Sequence, residues 1–213
     1  MENLTTPLVL GFVGGFLLLA VMTLTSFVKL SVVFLIVRQA LGLQQVPSNM
    51  VVMTLAGFLS VFISMPIFIE SLTAISETTL ELDSAQGLHD AWTAGITPFQ
   101  GFLVRNIDPN HIDFFIQISN ELWNGSGLVG SADNFIIQAP AFLISELTEA
   151  FRIGFLLYLP FVAIDLAVTG ILMALGMQMV QPNIIAVPFK LLTFVFVDGW
   201  ARLSEGLVMT YLG

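Results

Sequence analysis

The stretch PAFLISELTEAFRIGFLLYLPFVAIDLAVTGILMALGMQMVQP, Pro140 to Pro182, decides the fold. It carries Glu146, Glu149 and Arg152 near its head; from Ile153 onward, Asp165 is the only charge up to Phe189. Ile153 to Leu175 is 23 residues. At about 1.5 Å per residue that is roughly 35 Å of helix, enough to cross a hydrocarbon core of about 30 Å with some tilt. Pro140 fits a first helical turn, where no backbone N–H partner is needed, and Pro160 predicts a kink because it removes a ladder bond and its ring clashes one turn back. Gly176 and Pro182 then bracket an uncharged turn, Met177, Gln178, Met179, Val180 and Gln181.

Composition agrees with a membrane protein. The chain of 213 residues is 56% apolar and only 10% charged, against about 25% charged in soluble domains, and its mean hydropathy is +0.93. Cysteine is absent, which excludes disulfides and thiolate metal sites. A net charge of -9 with six basic residues excludes the Lys/Arg field a nucleic acid needs. The acidity is local: Glu70, Glu77, Glu81, Asp83, Asp90, Asp108, Asp113, Glu121 and Asp133 face Arg105 alone.

The hydrophobic pattern predicts an all-α membrane protein of four long, partly kinked helical segments arranged as hairpins, plus an acidic α-helical insert. Residues 1–69 form the first hydrophobic hairpin. Pro7 to Val28 starts the first element, which Lys29 and Arg38 punctuate, and Gly11 and Gly15 form a G-x-x-x-G pair suited to close helix approach. The head carries Glu2 and no basic residue, unlike a signal peptide, so the segment is expected to be retained. After a turn at 42–49, Met50 to Ile69 is the second uncharged run, with Pro66 near its end. Residues 70–139 are the water-facing insert. There Asp108 and Pro109 predict a helix N-cap with Pro at the first position, and Gly125 and Gly127 a helix end. An earlier amphipathic piece through Leu88, Trp92, Phe99, Phe102 and Leu103 is expected to break around Gly95 and Pro98. His89 and His111 have no companions at ligand spacing, so no metal is expected. Residues 140–213 form the second hairpin, with Ile184 to Val197 as the fourth element, broken by Pro188 and Lys190. Asp198 and Arg202 stand four apart in the order that favours a helical ion pair. The placing of basic residues turns the Arg38 loop to the cytoplasm and the acidic insert outward.

Three long motifs resemble the FliP/SctR (YscR, SpaP) family of export-gate membrane proteins of bacterial type III secretion. They are TSFVKLSVVFLIVRQALGLQQVPSN at Thr25–Asn49, SELTEAFRIGFLLYLPFVAIDL at Ser145–Leu166 and VPFKLLTFVFVDGW at Val187–Trp200. The retained start fits the injectisome branch better than the flagellar one. The resemblance implies an inner-membrane, multi-pass subunit, pentameric, that assembles with SctS-type and SctT-type subunits into a complex raised in part toward the periplasm. An SctU-type switch protein and the inner rod or needle are implied as further partners, with unfolded secreted proteins as substrates.

No catalytic constellation, cofactor loop or nucleophile with a base appears, so the chain reads as a non-enzyme without cofactors. Two groups of residues remain. Lys29, Asp165 and Lys190 interrupt apolar stretches and Glu146, Glu149 and Arg152 stand at the head of one; such charges demand partners between helices or subunits. By resemblance, Glu146 pairs with Lys190 across a subunit boundary. The second group is the turn Met177, Gln178, Met179. On its own it reads as turn filler in a membrane; by resemblance it is the gasket of the export channel, where pliable methionines close a pore yet yield to passing chains. Gln178 departs from the family's run of methionines and either wets the seal or points away. The rival reading, a self-contained small-molecule or ion transporter, calls for an internal repeat with paired broken helices, and the two halves share no spaced motif.

Overall fold

The computed structural model describes residues 23–43, 47–77, 85–125, 127–177 and 179–212, and every regular element among them is a helix. In chain order these are α1 (Phe27–Ala40), α2 (Asn49–Glu77), α3 (Ala85–Asn106), α4 (Pro109–Leu122), α5 (Phe135–Ala174), α6 (Pro182–Phe196) and α7 (Gly199–Met209). The expected first segment, with Gly11 and Gly15, lies almost wholly outside the described residues. Helices α2 and α5 are each long and apolar enough to cross a membrane; α6 and α7, bent by 60° at their junction, make a third span if counted as one.

Helix boundaries follow local chemistry more than hydropathy. The first element does not run unbroken into Lys29, as hydropathy suggested. A turn at 24–26 interrupts it, and the Thr25 hydroxyl accepts the Phe27 N–H at 3.4 Å, the kind of side-chain bond that competes with the helical ladder. Pro140 is not in a first turn either: α5 begins at Phe135, where the Asn134 side chain accepts the Ile136 N–H at 3.0 Å. The helix continues through both Pro140 and Pro160. Helix α3 likewise runs through Gly95 and Pro98 without the expected break. Gly95 is where Ile75 of α2 presses closest, a Cβ there falling 2.8 Å from its Cδ1, so tertiary contact overrides the weak propensity. The Asp108 cap matches expectation, with Pro109 opening α4 and the Asp108 carboxylate accepting the Asn110 N–H at 2.9 Å. That backbone bond, ahead of the Asn110 side chain, holds the Asp108 carboxyl below its ordinary value. The cap is therefore intact above the ordinary carboxylate pKa and is lost as pH falls through the lowered one.

The chain forms two compact units, residues 1–28 with 61–147 and residues 29–60 with 148–213, so α2 and α5 each contribute to both. In the first, α2 and α3 are antiparallel, with Phe68 on Phe99 at 5.2 Å and Ile75 on Gly95. Phe102 meets Phe142 of α5 at 5.7 Å, and the Ser145 hydroxyl accepts the Asp108 N–H and bonds His111 Nδ1 at 2.9 and 2.8 Å. In the second unit, α5 and α6 form an antiparallel hairpin. Phe161 faces Phe194, Asp165 faces Lys190, and Val168 and Leu172 pack with Ala186. Helix α1 completes it: Gly154 receives Ile36, and Gly42 receives Val187 so closely that a Cβ would stand 2.7 Å from Val187 Cγ2.

Large apolar side chains remain exposed along these helices, among them Phe58, Phe62, Phe155, Leu166, Phe189 and Phe196. A soluble monomer does not tolerate such a surface, so lipid or other protein covers it. Several threonine hydroxyls in the same helices bond within the helix. Thr54, Thr169 and Thr193 donate to the carbonyls of Met50, Asp165 and Phe189, four residues back.

Candidate functional site

The three sequence motifs meet at one point in the second unit. Lys190 of α6 projects an apolar stem inward until its ammonium reaches the Asp165 carboxylate of α5 at 2.5 Å and the Ala40 carbonyl of α1 at 2.9 Å. Ala40 is the last residue of α1, so the cation satisfies a carbonyl at the negative end of that helix. Each motif thus supplies one atom: a carbonyl from the first, a carboxylate from the second and an ammonium from the third. A second junction of the same motifs lies alongside, where Phe34 meets Trp200 at 6.1 Å and Phe194 meets Trp200 at 5.3 Å and Phe161 at 6.4 Å.

Lys29 is handled the same way. Its side chain is buried, and its ammonium bonds Glu149 at 2.9 Å while standing 3.9 Å from the centre of the Tyr211 ring. A buried ammonium is tolerated only when carboxylate, carbonyl or ring electrons replace its water. Arg38 Nη1 donates to Asn49 Oδ1 across the turn that follows α1. Glu146 is fully buried in the unit of residues 61–147, and Arg152 is exposed. Asp198 stands outside α7 as its N-cap residue, in the left-handed region at φ 54°, and its carbonyl accepts the Arg202 N–H at 3.1 Å. The chain therefore turns at the position where a continuous helix would have stacked the two side chains.

The methionine turn is built by its glycine. Gly176, at φ 72°, donates to the Met173 carbonyl at 3.1 Å, and Met177 donates to Leu172 at 2.9 Å, the double bond pattern that closes a helix on a left-handed glycine. Val180 folds back onto the hairpin's core with Val168, Leu172 and Ala186. Met177 and Met179 do not: Met177 is 44% exposed and Met179 100%. Gln178 lies outside the described residues. Two flexible apolar side chains are thus held at the tip of a hairpin, Met179 wholly and Met177 nearly half in the open.

Reasoning from sequence marked Lys29, Glu149, Asp165 and Lys190 as charges in need of partners, but matched neither Lys29 to Glu149 nor Lys190 to Asp165, and did not find Tyr211 or the Ala40 carbonyl. Only the motif overlap hinted at them, since the contacts bridge up to 150 residues of chain.

Residues 11–207 match the family model described as the FliP family. Among curated proteins, the chain is 48% identical over 198 residues to the probable translocation protein y4yL of Sinorhizobium fredii, covering 92% of this chain and 89% of that one. It is 42% identical to the Yop proteins translocation protein R of Yersinia pestis, over 89% and 88% of the two chains. It is 37% identical to the surface presentation of antigens protein SpaP of Salmonella typhi, over 88% of each.

Proposed function

The chain belongs to the FliP family, and from that premise we propose that it is a structural and gating subunit of a type III secretion export gate of the injectisome branch, through which unfolded proteins leave the bacterial cytoplasm. The methionine turn carries the reading. Apolar side chains, Met179 fully and Met177 44% exposed, are left at a helical hairpin's tip, and methionine is the side chain best able to seal against itself and yield to varied sequence. Near-full-length likeness to a translocation protein for Yops and to a secretion protein for harpin, HrcR of Erwinia amylovora, supports the injectisome over the flagellum. The exposed apolar faces suit multi-pass insertion in the inner membrane and coverage by partner subunits.

In this reading several copies of the chain, a pentamer in its simplest form, join SctS-type and SctT-type subunits, and an SctU-type switch protein and the rod or needle dock on the assembly. The hydrophobic segments pair as hairpins, and the acidic insert faces the periplasm. The subunit performs no chemistry; energy for transport enters elsewhere.

Two expected outcomes test the parts. In an assembled gate reconstituted into vesicles, Met177→Ala with Met179→Ala is expected to raise ion leakage severalfold while leaving assembly mass unchanged. Unchanged leakage would remove the gasket from the account. Glu146 and Lys190 are further proposed, on the resemblance, to couple neighbouring copies, which requires Lys190 to exchange the Asp165 carboxylate that holds it within its own chain for a neighbour's Glu146. Loss of assembly in Lys190→Glu and its recovery on adding Glu146→Lys supports that coupling, and absence of recovery contradicts it.

A further inference from the structure

The unit of residues 29–60 and 148–213 carries a groove of about 560 Å³. Its walls are apolar, from Val37, Leu157, Ile164, Phe194 and Leu203, and Gly206 leaves one wall low. Arg202 is the one charged residue lining it; the side chain is exposed, and among the described residues no carboxylate lies within ion-pair distance of it. The stripe Gly199, Arg202, Leu203, Gly206, Leu207 and Thr210 recurs every three to four residues, so the arginine belongs to the face of α7 that meets the groove.

We propose that this groove holds an acyl chain of an anionic phospholipid, with its phosphate on the Arg202 guanidinium. Size and charge together select the occupant. A helix about 10 Å across fills roughly 420 Å³ per turn, so the groove admits little more than one turn of a partner helix, too little to form a docking element. A single hydrocarbon chain is thinner and matches the apolar walls. The guanidinium fork binds phosphate in two places at once, and basic positions between apolar helices are natural headgroup sites. A zwitterionic lipid offers the same chain with a compensated headgroup, so it fits the walls but gains less from the arginine.

The test uses the full chain purified in detergent and supplied with phosphatidylglycerol or phosphatidylcholine of equal chain length, each with a photoactivatable diazirine in one chain. Native mass spectrometry is expected to find about fivefold greater retention of phosphatidylglycerol, the attraction of one arginine for a net-negative headgroup that choline otherwise offsets. Cross-links are expected on peptides holding Leu157, Ile164 and Leu203. Arg202→Gln should abolish the headgroup preference and keep the cross-links. Gly206→Leu should remove them, since a Cβ at Gly206 meets nothing within 4 Å and the new side chain extends into open space. Cross-links elsewhere, equal retention of the two lipids, or photo-leucine at Leu203 capturing polypeptide in place of lipid each overturn the proposal. Should Gly206→Leu fail to fold, Arg202→Gln, an exposed substitution, decides on its own by keeping or losing the preference.

Discussion

Lys190→Ala is expected to cost the chain about 3 kcal/mol of stability and to abolish secretion. Breaking a buried ion pair from one side costs about 3–5 kcal/mol, because the remaining charge stays out of water without its partner. The Lys190 side chain is 6% exposed and that of Asp165 34%, so the stranded carboxylate recovers some hydration and the cost falls near the lower bound. The Ala40 carbonyl loses its donor as well, which releases the end of α1. Lys190→Met with Asp165→Leu removes both charges and is expected to recover most of the loss, since a pair replaced by apolar groups of similar volume is often neutral. Unfolding in detergent, read as a double-mutant cycle, measures the coupling. A loss below about 1 kcal/mol for Lys190→Ala would place that pair among ordinary surface contacts and remove the joint on which the three motifs converge.

Gly199→Ala is the second large effect, although it adds a single methyl group. A Cβ at Gly199 would stand 2.3, 2.4 and 2.6 Å from three atoms of the Phe194 ring. That ring is buried, held edge-on by Trp200 and tilted against Phe161, and the groove is its one open side. Relief therefore costs either those ring contacts or the 60° bend between α6 and α7. Overpacking of this kind costs about 1–3 kcal/mol, which for a chain of this size lowers Tm by about 3–10 °C. Gly206→Ala in the same helix is the control, since its Cβ meets open space; no loss is expected there, and a slight gain fits the better helix propensity of alanine. Equal losses at the two positions would contradict the role given to the aromatic junction.

How much of this was legible in the sequence depends on the range over which each feature is determined. The Asp108–Pro109 cap and the Gly176 turn are settled within a few residues, so their side-chain types disclosed them. Lys29, Asp165 and Lys190 announced a need for partners, because charge in an apolar stretch is costly wherever it sits. Their partners were not legible: Glu149 is 120 residues from Lys29, and a backbone carbonyl such as that of Ala40 has no sequence signature. Pro140, Gly95 and Pro98 misled for the converse reason. Gly95 costs a helix about 1 kcal/mol and each interior proline about 3 kcal/mol, and the packing of α2 on α3 and the Asn134 cap outweigh them. The bend at Asp198 was not read from the sequence, although Asp198-Gly199 is a turn-forming pair and aspartate is among the non-glycine residues that enter the left-handed region.

The central claim is that this chain is one subunit of a multi-component gate. Native mass of detergent-extracted protein tests it most directly, with the chain expressed first alone and then with the small membrane proteins encoded beside it. The expected result is a large assembly of defined mass that incorporates those neighbours. A small monodisperse particle that ignores them and moves solute when placed in vesicles would contradict the claim and return the chain to the transporters.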